Sequence, residues 1–130
     1  MTLYDSSVLI NYLDGDAATI SYVDSNLDER SIAPPLVLFE VYQGEVFKTG
    51  PADFDAVNRA LGWLSIVDSS AEMARGASEL QSALHDLGTP LAARDAFIAG
   101  SAKAHGERLA VADADFDVDG ITDLIDIDFL

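Results

Sequence analysis

Apolar residues recur along the chain with two periods, and the switches between them set out its elements. A β-forming run, Thr2–Tyr4, passes directly into a helical pattern carrying Val8, Leu9, Ile10, Tyr12 and Leu13. Ser6 or Ser7 is placed to cap that helix. Asp14-Gly15-Asp16 is a turn, and Ala17–Leu27 is a second helix with Ile20, Val23 and Leu27 at helical spacing. Arg30–Ala33 reads as a strand. Pro34-Pro35 breaks it and opens a helix from Leu36 to Lys48, since proline is tolerated in a first turn. Thr49-Gly50-Pro51 ends that helix, Ala52–Leu64 forms another, and Ile66-Val67 is a short strand. Ser69-Ser70 caps a long helix, Ala71–Asp86, with Met73, Leu80 and Leu84 inward. After the loop Leu87–Pro90 come a helix, Leu91–His105, stopped by Gly106, and a strand, Leu109–Ala112. An acidic loop, Asp113–Gly120, and a last strand, Leu124–Phe129, complete the chain.

Strands that alternate with helices predict an α/β fold in which a parallel sheet is wrapped by helices. At 130 residues, with no repeat or linker, the chain is expected to form one domain over residues 1–130. No apolar run approaches the length of a membrane span, and no signal-peptide pattern opens the chain, so a cytoplasmic location is expected. With no cysteine, thiol catalysis, disulfides and cysteine-ligated zinc are excluded.

Charge alters this ordinary picture. Seven Lys and Arg stand against 23 Asp and Glu, for a net charge of −16, while 49% of the residues are hydrophobic. That apolar fraction rules out disorder as the origin of the acidity and points to an acidic solvated surface. An Asp-heavy, Lys-poor composition resembles proteins of salt-accumulating halophiles. Near 1 M salt the Debye length is about 3 Å, which screens self-repulsion and repulsion from an anionic substrate alike. On this reading the protein loses stability at low salt. The missing basic patch, which would otherwise argue against a nucleic-acid role, then weighs little.

Four acids occupy positions that bulk acidity does not explain. Asp5 sits where the first strand meets a helix N-terminus, at the sheet edge where α/β folds bind ligands. Glu40 shares a helix face with Leu36, Val37, Val41, Gly44 and Phe47, where a lone carboxylate is costly unless paired or metal-bound. Asp95 lies in a stripe of small apolar residues: Leu91, Ala92, Ile98, Ala99 and Ala102. Asp113 ends its strand as Asp5 ends its own, and both strand ends lie on one edge of a parallel sheet. Four carboxylates with no nearby lysine repel one another unless a cation neutralises them. An all-oxygen site suits Mg²⁺ or Mn²⁺, ions that support attack of water on a phosphodiester.

With these residues in place the chain resembles the PIN domain family, most of all the small VapC-type toxin ribonucleases. The matching segments are Tyr4-Asp5-Ser6-Ser7-Val8-Leu9-Ile10, Glu40-Val41 after Pro34-Pro35, Arg94-Asp95-Ala96-Phe97-Ile98-Ala99-Gly100-Ser101-Ala102, and Asp113-Ala114-Asp115-Phe116 with Gly120-Ile121. The resemblance implies a PIN-like three-layer α/β/α sandwich with a central parallel sheet of four to five strands. It further implies an endoribonuclease that cleaves RNA with Mg²⁺ or Mn²⁺, a homodimer, and a VapB-like antitoxin as partner. Carried over by position, Asp5, Glu40, Asp95 and Asp113 are the catalytic metal ligands, with Asp115 as an understudy for the last. One departure stands out: Val111 and Ala112 occupy the place where the family usually has a hydroxyl before the fourth acid, and Ser7 is the hydroxyl that remains.

Other readings compete. Asp115, Asp117, Asp119, Gly120, Asp123 and Asp126 follow the spacing of a calcium-binding EF-hand loop, but with Thr122 at the aliphatic position and strands instead of helices as flanks. A haloacid-dehalogenase-type site needs a second acid where Ser7 stands. A response-regulator receiver needs a late lysine after a strand, and Lys103 falls in a helix. A catalytically silent, partner-binding module of the same fold is a further alternative. His85 and His105 are expected at helix C-termini, where a cation is favourable. Arg94, next to Asp95, is expected as a solvated helix residue, with contact to substrate phosphate or the antitoxin as the alternative, and Phe39, Tyr42, Phe47 and Trp63 are expected as core. The helix from Leu36 to Phe47 is apolar nearly all round, which suits a dimer or antitoxin contact.

Overall fold

The sheet is made of strands so short that nearly every residue in the central ones is buried. The computed structural model describes residues 1–130. Its elements run β1 (Thr2–Tyr4), α1 (Ser6–Leu13), α2 (Ala17–Ser25), β2 (Ser31–Ala33), α3 (Pro35–Phe47), α4 (Phe54–Ala60), β3 (Ser65–Ile66), α5 (Ala71–Asp86), α6 (Ala93–His105), β4 (Arg108–Val111), a 3₁₀ turn (Ala114–Phe116), α7 (Ile121–Leu124) and β5 (Ile127–Phe129). All neighbouring strands pair in parallel, in the order β3-β2-β1-β4-β5. This is the expected α/β architecture, with helices covering a five-stranded parallel sheet. β1 and β2 are buried along their whole length because helices cover both faces.

Strand order decides which helices go where. The chain steps from β1 to β2 to β3 in one direction, so right-handed crossovers place α1 to α4 on one face. It then returns past β1 to reach β4, which places α5 and α6 on the other face. The reversal falls between β1 and β4, which pair through Leu3–Leu109 and Tyr4–Ala110. Leu3, Tyr4, Val8, Leu9, Ile32, Leu109, Ala110 and Val111 form the middle of the core. The small residues of α6 serve its contact with α5: a Cβ on Gly100 would stand 2.1 Å from the Cα of Ala77. No helix is long and apolar enough to cross a membrane.

Several boundaries differ from the sequence expectation. The acidic stretch is not an open loop. Phe116 and Ile121 are buried and pull it inward, giving the 3₁₀ turn and α7, so the last strand starts at Ile127 and not at Leu124. With β4 and β5 as flanks and α7 inside it, the stretch does not have the form of an EF-hand loop. α4 is shorter than the span Ala52–Leu64, with Asp53 capping it through the backbone N–H of Ala56. Phe39 and Phe47 are exposed, at 58% and 78%, and are not core; the buried line of α3 is carried by Val37 and Val41. Trp63 packs partly buried against Tyr4 and Tyr12. His85 and His105 lie in the last turns of α5 and α6, as expected.

Candidate metal centre

The strand reversal places the residue after β1 beside the residues after β4, and this is where a parallel α/β sheet opens a crevice. The backbone N–H of Asp5 donates to Ala110 O at 3.0 Å, tying the start of α1 to β4. Asp5 is itself the N-cap of α1: its Oδ2 accepts from the backbone N–H of Ser7 at 3.1 Å and from Ser7 Oγ at 2.5 Å. This corrects the expectation that Ser6 or Ser7 caps the helix. Capping uses one carboxylate oxygen and leaves Oδ1 for the cavity. Ser7 Oγ also accepts from the N–H of Ala112 at 3.0 Å. One hydroxyl thus joins the end of β4 to Asp5, where Val111 and Ala112 carry none.

The other acids arrive from both faces of the sheet. α3 leaves β2 at the carboxyl edge and brings Glu40 with it, its side chain 25% exposed. α6 runs towards the start of β4, so its N-terminus lies at the carboxyl edge and its first turn carries Asp95. Asp113 follows β4 and caps the 3₁₀ turn, its Oδ1 accepting from the backbone N–H of Asp115 at 2.9 Å. Asp5, Glu40, Asp95, Asp113 and Asp115 all line one cavity of about 440 Å³, together with Ser6, Ser7 and Arg94. All five acids singled out in the sequence therefore meet. Asp5 and Asp95 are buried, Asp113 is half-buried and Asp115 is exposed.

Arg94 departs from expectation. It is no solvated helix residue but stands among the acids. Its Nη2 donates to Asp5 Oδ1 and Ser6 Oγ, each at 2.8 Å, its Nη1 to Asp95 Oδ1, and its Nε and Nη2 to the two oxygens of Glu40. Adjacent positions in the middle of a helix do not face the same way. In the first turn of α6, however, a long side chain can reach back past the helix end. The signal in the sequence was electrostatic: Arg94 is the one basic residue within the four acid motifs.

Charge balance follows from this geometry. Burial pushes the carboxyl of Asp95 above the usual range; Arg94 opposes this, while the charges of Asp5 and Asp113 add to it. Burial works against the charge on Arg94, but Glu40, Asp5 and Asp95 outweigh it and hold the guanidinium ionised. One positive charge thus faces three carboxylates directly, with Asp113 and Asp115 nearby. The donor set fits a hard divalent cation: every acid offers oxygen, and Asp95 uses only Oδ1 for hydrogen bonding, as does Asp113. With Arg94 among them, no three of the acids are drawn together around one point as an ion would require.

Comparison with known proteins gives the class. The sequence model of the PIN domain matches residues 2–119, and the chain belongs to the PIN domain family. No curated protein sequence matches the chain. Among solved structures it is similar to a chain of FitAcB from Neisseria gonorrhoeae, with TM-score 0.81 and 21% identity, covering 100% of this chain and 97% of that one. It is also similar to a chain of VapBC2 from Rickettsia felis bound to a promoter DNA fragment, with TM-score 0.78 and 16% identity over 98% and 97% of the two chains. DNA-bound VapBC from Salmonella typhimurium gives TM-score 0.78 and 20% identity over 98% and 96%. At these identities the likeness is one of fold.

Proposed function

We propose that this protein is a Mg²⁺- or Mn²⁺-dependent endoribonuclease that hydrolyses RNA phosphodiester bonds, and that it is the toxin of a toxin–antitoxin pair. The observation that carries this reading is the meeting of Asp5, Glu40, Asp95 and Asp113 in one cavity at the strand reversal. Membership of the PIN domain family supports a nuclease, and the structural neighbours include toxin–antitoxin complexes. Asp5, Glu40, Asp95 and Asp113 would hold the metal, with Asp115 at the exposed rim. When bound, the ion would activate water for in-line attack and stabilise the leaving oxygen. The chain's own part is positional: Ser7 holds Asp5 in one orientation, and burial fixes Asp95.

The partner reading rests on α3. Phe39, Val46 and Phe47 are exposed at its surface, which supports a face covered by a second copy of the chain or by a VapB-like antitoxin. The net charge of −16 supports a cytosol of high salt, in which repulsion from RNA is screened. The competing reading, a catalytically silent partner-binding module, is favoured by one observation: Arg94 already satisfies three of the acids.

RNA cleavage separates the two. In high KCl with Mn²⁺ or Mg²⁺, the wild type should cut RNA, and Asp5→Asn or Asp95→Asn should lower the rate by about a hundredfold or more, because each replaces an anionic metal ligand with a neutral amide. Equal cleavage by wild type and Asp5→Asn would overturn the mechanism. A wild type inert with every divalent ion would support the silent module.

A further inference from the structure

Arg94 does more than neighbour the acids; it takes up their bonding capacity. All three of its nitrogens donate, to Asp5, Ser6, Glu40 and Asp95, and no other basic residue lines the cavity. The guanidinium therefore uses the carboxylate oxygens that a divalent cation would need. The two sides of this contact differ in freedom. The side chains of Asp5 and Asp95 are 1% and 8% exposed and cannot retreat, while Arg94 is 30% exposed and has an open way to solvent. Asp5 also keeps its orientation without Arg94, since Ser7 holds its other oxygen. The orientation of Asp5 thus survives the departure of the arginine.

We infer that Arg94 is the exchangeable counter-ion of this centre: it neutralises the acids until a divalent cation displaces it, and so sets the affinity for that cation. This rests on the metal-dependent reading above. The physical reason is competition. A ligand whose binding-competent state is only part of the population binds more weakly by that fraction. Here the competent state is the one with Arg94 turned out. The exchange is favourable because two positive charges replace one beside three carboxylates. Lysine in its place would carry the charge as a point and could not fork across the acids, so it should compete less well.

The test is Mn²⁺ binding to metal-free protein by calorimetry in high KCl, with wild type, Arg94→Lys and Arg94→Gln. The expected order of affinity is Arg94→Gln above Arg94→Lys above wild type, with Arg94→Gln at least about tenfold tighter than wild type. Since the variants can lose folding when the acids are left unpaired, a second measurement uses the wild type alone. The Arg94 Nε–H resonance, identified by its loss in Arg94→Lys, should be protected in metal-free protein and should shift and lose protection on adding MgCl₂, but not on adding KCl to the same ionic strength. A resonance unmoved at saturating Mg²⁺, or wild type and Arg94→Gln binding Mn²⁺ equally, overturns the inference and leaves the metal reading standing. If neither protein binds Mn²⁺, both fall together.

Discussion

Arg94 and Arg108 are equally exposed, each at 30% of the side chain, and each faces a group of acids, yet they do opposite things for the protein. Arg108 begins β4 and lies near Asp126 and Asp128 at 3.6 and 3.7 Å, acids that are 71% and 42% exposed. Water can replace it there. The partners of Arg94 are Asp5 and Asp95, at 1% and 8%, and Glu40 at 25%. Water reaches them poorly, so nothing but a cation can replace it. The difference lies in the acids and not in the arginines. An exposed pair contributes little to stability because its members lose little water on pairing. A buried carboxylate left alone keeps its desolvation cost in full. The amino end of the sheet thus carries surface charge, whereas the carboxyl end concentrates charge that folding alone would disfavour.

The comparison can be broken most directly by removing each arginine. Arg94→Ala should cost metal-free protein about 3 kcal/mol in urea denaturation, because it strands buried carboxylates. Arg108→Ala should cost less than about 1 kcal/mol. Raising KCl towards molar concentration should erase the Arg108 effect and leave most of the Arg94 effect, since screening acts on exposed pairs. Equal losses at both sites would remove the distinction.

A smaller effect is expected at Ser7, whose hydroxyl links Asp5 to the end of β4. Ser7→Ala should cost about 1–2 kcal/mol and weaken Mn²⁺ binding roughly tenfold, as loss of a group that orients a ligand does. Unchanged Mn²⁺ affinity in a calorimetric titration would mean that capping by the backbone N–H of Ser7 orients Asp5 unaided.

The smallest effect concerns Tyr22, beside Arg108. Burial, and then its hydrogen bond to Asp128 at 2.7 Å, raise the phenol well above its ordinary range. In the unfolded chain the same group ionises near its ordinary pKa of about 10. Above that pH the unfolded state holds fewer protons than the folded one, so this contribution to stability is lost as pH rises. Tyr22→Phe should flatten the alkaline decline, and identical slopes for the two proteins above pH 10 would contradict the assignment.

Much of this was legible in the chain itself. The alternation of short β-forming runs with amphipathic helices predicted a helix-covered parallel sheet, because periodicity records which faces are buried. Glu40 and Asp95 were visible as carboxylates among apolar neighbours, and Asp5 and Asp113 as acids ending strands. Their order matched one family, whose sequence model covers residues 2–119. The default reading of Phe39 and Phe47 as core fails in α3, where both are apolar but exposed. Hydrophobicity alone does not tell core from an uncovered face. It also missed α7, which forms because Phe116 and Ile121 anchor an otherwise acidic stretch.

What depended on the tertiary structure was adjacency. The sequence determined which acids the chain owns and that two of them end strands. It did not determine that β4 lies beside β1, because strand order is set by how helices pack on a sheet and not by local pattern. That order puts Asp5 next to Asp113 and lets the first turn of α6 bring Arg94 as well as Asp95 to the same cavity. A charged residue next to Asp95 reads by default as solvated, and helical spacing, which describes faces in the middle of a helix, does not correct that. At a helix end beside buried carboxylates, the electrostatic gain of reaching inward prevails, and only the assembled fold shows that the end is there.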